Sequence, residues 1–513
     1  MLGYLVTSAC IETCEKCKSI LNHAQEKVWQ GPQGMCNSST QFFIYCNHTT
    51  APTQKPKKPE AAMAVDDHEE IKPTVFVPGK DAVDEDEQLQ YDPTAYDCMS
   101  NMSLEWPSLS FDIVTDALGD DRRAFPHTLF MVAGTQAAKS KLNYLAIMKV
   151  SNLKQGRHGN NAHGKKNKKE GGEAAANEDQ DENEDEDMVE SDDEDSDDDE
   201  AEEEEEAKLF VRRIAHTGGI NRVRSMPQQP HVVASWADTA QVQVWDLSQQ
   251  LNDLANEVEP TPGSSKIQKL NARQVHTHSS EGYALDWSAI AVGRLASGDC
   301  RAKIHVWDPT PGGRWAVGGA LKGHEGSVED LQWSPTEATV FASCSVDKTV
   351  RVWDTRETSK AMITVTAHET DVNVISWNRL TAYMLASGGD DGTLRVWDLR
   401  QFGAGATPVA SFTYHRGPIT SVEWCPHEAS MLLTTSSDNT LGIWDLAVER
   451  DPEEEAELAP ETNVAAPADL PAQLLFLHAG QTDLKEGHWH RQIPGMLVTT
   501  AADGFNLFKP SNV

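Results

Sequence analysis

From residue 241 onward the dipeptide Trp-Asp returns five times, as QVQVWD ending at Asp246, KIHVWD at Asp308, TVRVWD at Asp354, TLRVWD at Asp398 and TLGIWD at Asp445. Each copy closes an alternating apolar stretch that follows a polar turn, the period a half-buried strand needs. His216, His278, His324, His368 and His415 stand about 30 residues before successive tryptophans, a spacing typical of repeat architectures. Between them lie LASGD, FASCSVDK, LASGGDDG and LTTSSDN. The pattern describes four short antiparallel strands per unit, with Asp in a tight turn and Trp on the third strand. One such unit cannot bury its own sheet faces, so the units must pack on one another and close into a ring.

Five dipeptides do not make the usual seven blades. GMLVTTAADGFNLFKP at the end of the chain repeats the strand–turn–strand pattern with Phe508 in the Trp place, giving a sixth. HTLFMVAGTQ (127–136), NYLAIMKV (143–150) and KLFVRRIAH (208–216) supply strands of a seventh. WPSLSFDIV (106–114) is expected as the outer strand of the last blade, closing the ring by pairing the two ends of the chain. The expected fold is all-β, a seven-bladed propeller over residues 104–513. A disordered extension (1–62) and an acidic segment (63–103) with an amino-terminal helix precede it. Leu89, Tyr96 and Met99 fall near one face of that helix, which Pro93 interrupts. Met63 opens MAVDDHEE, a plausible alternative start.

Charge is distributed unevenly. The chain of 513 residues carries 44 basic and 80 acidic side chains, a formal charge of −36. Residues 173–206 hold 23 acidic groups and no Lys or Arg, and without them the charge is −36 + 23 = −13. This run belongs to an insertion (151–207) that joins NYLAIMKV to LFVRRIAH inside the first blade. Its low hydrophobicity leaves it disordered, and a loop tolerates such an insertion at little extra closure entropy. A local polyanion calls for a basic protein partner, not nucleic acid or an anionic membrane. No apolar run reaches the ~18–20 residues that span a bilayer, and the first residues lack a secretory signal's basic start. Cys98, Cys300, Cys344 and Cys425 are isolated and expected reduced, Cys98 near a helix. Cys14 and Cys17 form a CxxC near Cys10, Cys36 and Cys46, but no second ligand pair matches it, so no metal is expected. No phosphate-binding loop or dinucleotide pattern appears, so neither a cofactor nor an enzymatic activity is expected.

The repeats resemble the WD-repeat propeller family. In that family His, Ser or Thr, Asp and Trp form a buried hydrogen-bonded tetrad, which the resemblance places at His324, Ser343, Asp347, Trp353; His368, Ser387, Asp391, Trp397; and His415, Thr434, Asp438, Trp444. A His, an Asp and a hydroxyl also suggest nucleophilic catalysis, but their repetition with Trp in several units favours a scaffold.

The segment 81–114, GGINRVRSMPQQPHVVAS (218–235) and LPAQLLFLHAG (470–480) resemble the histone-binding WD-repeat chaperones. VFVPG (75–79), LSFDIVTDALGDDR (109–122) and TLFMVAGTQA (128–137) are similar to the ribosome-assembly members of that group. The resemblance implies a monomeric, non-enzymatic chaperone of the nucleus and nucleolus that passes through the cytoplasm. It implies a basic client, large-subunit ribosomal protein three, with core histones as the alternative. Leu89, Tyr96, Leu474, Leu475 and Phe476 would shape an apolar floor for a client helix, flanked by Glu453, Glu454 and Glu455. Asp192, Asp193, Glu194, Asp195, Asp197, Asp198 and Asp199 would add flexible electrostatic capture. WDTR and WDLR place Arg356 and Arg400 where substrate receptors of cullin-four ligases contact their adaptor; the bland reading is a closed turn. Ser191 and Ser196 lie in an acidic phosphorylation context, and KPKK (55–58) and KKNKK (165–169) resemble import signals or charge-balanced hinges. Asn37, Asn47 and Asn101 fit glycosylation sequons, set aside because no secretory signal is evident.

Overall fold

The computed structural model describes residues 93–156, 206–258, 267–403, 405–448 and 470–513. After β1 (Tyr96–Met102) the strands fall into blades of four. The first is β2–β5 (Ser108–Val114, His127–Thr135, Tyr144–Leu153, Lys208–Ala215) and the second β6–β9 (Ile220–Met226, Gln229–Ala237, Gln241–Asp246, Gln274–Thr277), with helix α1 (Ser248–Ala255) before β9. The third is β10–β13 (Ala284–Trp287, Leu295–Gly298, Ile304–Thr310, Arg314–Val317) and the fourth β14–β17 (Val328–Trp333, Val340–Ser345, Thr349–Asp354, Ile363–Thr366). The fifth is β18–β21 (Val372–Trp377, Met384–Gly389, Leu394–Asp398, Ala410–Phe412) and the sixth β22–β25 (Ile419–Trp424, Met431–Ser436, Thr440–Asp445, Leu474–Ala479). The seventh joins β26–β28 (Glu486–Trp489, Leu497–Ala501, Gly504–Pro510) to β1. The fold is a seven-bladed all-β propeller.

Ring closure uses a different strand from the one the sequence suggests. β2, within 106–114, is the innermost strand of the first blade, and β1 is the outermost strand of the last. β1 runs antiparallel to β28, from Tyr96 opposite Pro510 to Met102 opposite Phe505. Tyr96, Cys98 and Met99 are therefore on a strand and not on a helical face, and the propeller begins before residue 104. The physical reason is the alternation of burial at Tyr96 and Cys98, which face the core while Asp97 between them does not. β2 meets neighbours on both sides, and Phe111 at its centre is wholly buried. Cys98, Cys344 and Cys425 are buried free thiols.

Blades are stitched together around the channel by a recurrent bond. Trp287, Trp333, Trp377, Trp424 and Trp489 all end inner strands. The Trp333 N–H donates to Asp286 Oδ2 (2.8 Å) and its indole N–H to the Asp286 carbonyl (3.1 Å). Trp424 repeats both bonds on Ser376, at 3.1 and 3.0 Å, and Trp489 on Glu423, at 2.9 and 3.2 Å. Trp377 N–H donates to Gln332 Oε1 (2.8 Å), and the Trp287 indole to the Arg224 carbonyl (3.0 Å). Between the first and second blades Ser225 N–H donates to Asp112 Oδ2 (2.7 Å), and between the seventh and first Phe111 N–H donates to Glu486 Oε2 (3.1 Å). Every junction is bridged.

Within blades the tetrads order the outer layers. In the fourth blade the Trp353 indole donates to Ser343 Oγ (2.8 Å), Ser343 meets His324 Nε2 (2.6 Å), and His324 Nδ1 meets Asp347 Oδ2 (2.8 Å). A carboxylate only accepts, so Nδ1 carries the proton and Nε2 accepts from the serine hydroxyl. Trp444, Thr434, His415 and Asp438 repeat the chain at 2.8, 2.7 and 3.1 Å. In the fifth blade Trp397, Ser387 and His368 are joined, but Asp391 lies 3.8 Å from His368.

Glu486 at the seventh junction is buried and ion-paired with Arg222 and with Arg224 (3.1 Å). Burial would raise its carboxyl, but the two guanidiniums hold it well below the usual range. His488 lies between Glu423 (3.1 Å) and Glu486 (3.4 Å). Burial would lower its imidazolium, yet the two carboxylates push it up to about 9 from 6.5. A raised histidine stabilises fully below its unfolded value, and that contribution is lost as pH rises through 9. Buried His478 and His490, both pushed down to about 3, act oppositely and cost stability as pH falls below 6.5.

Two outcomes are expected. Tyr96→Ala should cost about 3–5 kcal/mol in denaturant unfolding, the range for truncating a buried aromatic; a change below ~1 kcal/mol would mean β1 does not clasp the ring. His488→Gln should be less stable than the parent at pH 6, and its unfolding midpoint should stay level from pH 6.5 to 9 while the parent's declines.

Candidate functional site

In each blade the third strand ends, and the outer strand begins, on the same face of the ring. Lys208 at the start of β5 pairs with Ser151 near the end of β4, Leu474 of β25 with Trp444, and Tyr96 of β1 with Pro510. The segments that end before residues 93, 206 and 470 consequently join the ring at equivalent points of blades seven, one and six. These three blades are consecutive. Their attached sequences are acidic: residues 81–92 hold six carboxylates and no base, 173–206 hold 23, and 449–469 hold eight against one arginine.

Where β1 meets β25, Tyr96, Phe476, His478 and Phe508 interlock. The Tyr96 ring stands edge-on to Phe476 (5.4 Å) and Phe508 (5.8 Å), and His478 stacks on Phe508 (4.1 Å). Asn506 Nδ2–H donates to His478 Nε2 (3.1 Å), so His478 Nδ1 carries the proton to Tyr96 Oη (2.8 Å). Burial pushes that imidazole down to about 3, which keeps it neutral. Tyr96 and Phe476 do come together, but as core: 5% and 1% of their surfaces are exposed. Leu474 and Leu475 are half-buried beside them, and Asn512 Nδ2–H donates to the Leu475 carbonyl (3.1 Å). Leu89, Glu453, Glu454, Glu455, Ser191, Ser196 and the aspartates and glutamate from Asp192 to Asp199 lie outside the described residues.

Arg356 and Arg400 follow the third strands of blades four and five on the same face. Arg356 Nε reaches both Asp354 oxygens (2.9 Å each), and Arg400 does so on Asp398 at 2.9 and 3.1 Å while lying 3.8 Å over the Tyr383 ring. Both guanidiniums are exposed yet folded back onto the acid of their own Trp-Asp pair.

Sequence reading passed over one tetrad, in the third blade. Trp307 donates to Ser297 (2.9 Å), Ser297 meets His278 (2.8 Å), and Asp299 lies 3.4 Å from that ring. Here the acid stands two residues after the serine and not four; the constant ten-residue step from Ser to Trp was the signal available. Among the described residues no cluster of His, Cys, Asp and Glu is arranged to hold a metal, and no helix is long and apolar enough to cross a membrane.

Residues 86–154 match the histone-binding family described by the protein RBBP4 and its counterpart in the CAF1 complex, and residues 315–354, 359–398 and 406–445 match "WD domain, G-beta repeat". The chain is 49% identical over 472 residues to Protein HEAT STRESS TOLERANT DWD 1 of Arabidopsis thaliana, covering 91% of this chain and 97% of that one. It is 52% identical over 442 residues to Glutamate-rich WD repeat-containing protein 1 of Dictyostelium discoideum, covering 85% of each. Ribosome assembly protein rrb1 of Schizosaccharomyces pombe is 40% identical over 439 residues, 83% of this chain and 82% of the relative. The chain therefore belongs to the family of WD-repeat proteins that includes glutamate-rich WD repeat-containing protein 1 and ribosome assembly protein rrb1.

Proposed function

We propose that this chain is a non-enzymatic chaperone of large ribosomal subunit assembly, acting in the nucleus and nucleolus. It holds a basic ribosomal protein, such as large-subunit protein three, until its RNA site displaces the chaperone. The observation that carries this reading is the attachment of three acidic segments to consecutive blades on one face. A rigid ring fixes their bases together, so a client with dense positive charge meets all three at once. Many weak, salt-screened contacts give fast capture, and tethering raises their effective concentration. The rrb1 relative is named for ribosome assembly, which supports the same role. A second reading, core histones as clients, is favoured by the family match over residues 86–154. Both clients present the same chemistry.

Reversing Glu453, Glu454 and Glu455 to Lys should weaken binding of purified large-subunit protein three by about tenfold or more, with the melting temperature unchanged. Affinity equal to the parent's would move the site elsewhere on the ring. Replacing residues 178–206 with Gly-Ser of equal length should slow association and flatten its dependence on salt, while a scramble at constant composition should not. Superimposable stopped-flow curves for all three across a salt series would mean this run never meets the client. Titrating histones and the ribosomal protein against each other ranks the two clients.

A further inference from the structure

On the face that carries the acidic segments, a cavity of about 540 Å³ opens between the first and second blades. Val114, Ala117, Leu118 and Phe130 form one apolar wall, and Leu251 and Ala255 of α1 the other. Its size falls in the range of sites that take a whole ligand group rather than water. Leu118 stands at its edge with 56% of its surface exposed.

The loop presenting Leu118 is held with unusual care for a surface turn. Gln492, buried in the seventh blade, accepts the Asp116 N–H at Oε1 (2.8 Å). Its Nε2 donates to the Asp116 carbonyl (3.0 Å), the Gly119 carbonyl (3.3 Å) and Asp120 Oδ1 (3.0 Å). Asp116 also accepts the Leu118 N–H (2.8 Å) and pairs with Arg122 (2.8 Å). An exposed leucine on a loop fixed this way has little conformational freedom left to lose, so binding against it costs little ordering entropy. The other wall is as firm, because α1 buries Gln250 and Leu254 against the blades.

Charge decides what such a cavity would accept. Lys149, its one ammonium, is paired with Glu257 (2.9 Å). Asp120 and Asp121 follow Leu118 in the loop that forms one wall, and Asp253 of α1 and Glu257 just after it accompany the other. Arg122 and Arg123 are taken up by Asp116 and Asp121 (3.0 Å for the second pair). β4, which carries Lys149, leads into the insertion through a basic stretch (Lys154, Arg157, Lys165, Lys166, Lys168 and Lys169), and the 23-carboxylate run follows it and ends just ahead of β5. Asp121 and Glu257 are themselves paired and Arg212 binds the Val258 carbonyl, so the acidic excess beside the cavity comes from Asp120, Asp253 and the carboxylate run ahead of β5. An apolar seat there suits a large apolar side chain flanked by lysines and arginines.

We propose that this cavity seats one aromatic or large aliphatic side chain of the basic client, as the oriented anchor that complements capture by the acidic segments. The inference rests on the basic-client reading above and adds to it the point where the client is positioned.

The test uses the full chain and two labelled 15-residue lysine-rich peptides, identical except for one central Trp or Ala. The Trp peptide should bind the parent about tenfold more tightly than the Ala peptide. Ala255→Trp, which fills the cavity from an exposed helix position, should abolish that ratio and leave affinity for the Ala peptide unchanged. Leu118→Ser, at a site open to solvent, should reduce the ratio without touching the core. Equal binding of both peptides by the parent, or a ratio that survives Ala255→Trp, would overturn the anchor alone. No binding of either peptide would overturn the basic-client reading, and the anchor with it.

Discussion

Everything in this ring depends on bonds that run around the channel between one inner strand and the next. A propeller blade is only four short strands, too little to stand alone, so its place is fixed by the neighbours on each side. Here the fixing is chemical as well as steric. A tryptophan or backbone amide of one inner strand reaches a side chain or carbonyl on the strand before, and these groups are buried where an unmade bond would be costly. At the seventh junction the acceptor is a carboxylate, Glu486, whose charge requires Arg222, Arg224 and His488 around it. The first and last blades therefore meet across a cluster of buried, mutually compensating charges.

How far the sequence disclosed this follows from the range of each interaction. Trp353, Ser343, His324 and Asp347 stand at steps that return in the next two blades, so repetition marked these positions, while the first and last blades had to be read from strand patterns alone. The clasp was misread because Leu89, Tyr96 and Met99 fit a helical spacing, while only the two-residue alternation at Tyr96 and Cys98 marked a strand. Choosing between those periods needs the partner, β28, some 400 residues on. Gln492 beneath the Asp116 loop carried no signal at all, since a single glutamine has no period. Phe476 could be recognised as apolar but not as core, because burial is decided by β1 lying over it.

The same architecture separates two tasks that compete in a single surface. Charge attracts any basic chain without regard to its order, whereas a shaped cavity discriminates but is slow to be found. In the proposed function, blades six, seven and one would carry the first kind of recognition on their attached sequences. The wall between blades one and two would offer the second, at the foot of the same insertion. Neither requires the ring to move, which agrees with its fully bridged junctions.

The family matches at 315–354, 359–398 and 406–445 each begin on or just ahead of the outer strand of one blade and end with the third strand of the next. The heritable unit is thus out of step with the structural one by a single strand. A duplication or excision of one unit would carry its own overlap on both sides, and the ring would grow or shrink by a whole blade with no seam left open. Only the seventh blade cannot be copied so freely, since β1 and β26–β28 lie far apart in the sequence. Variation in blade number is accordingly cheap in the middle of such a chain and constrained at its limits.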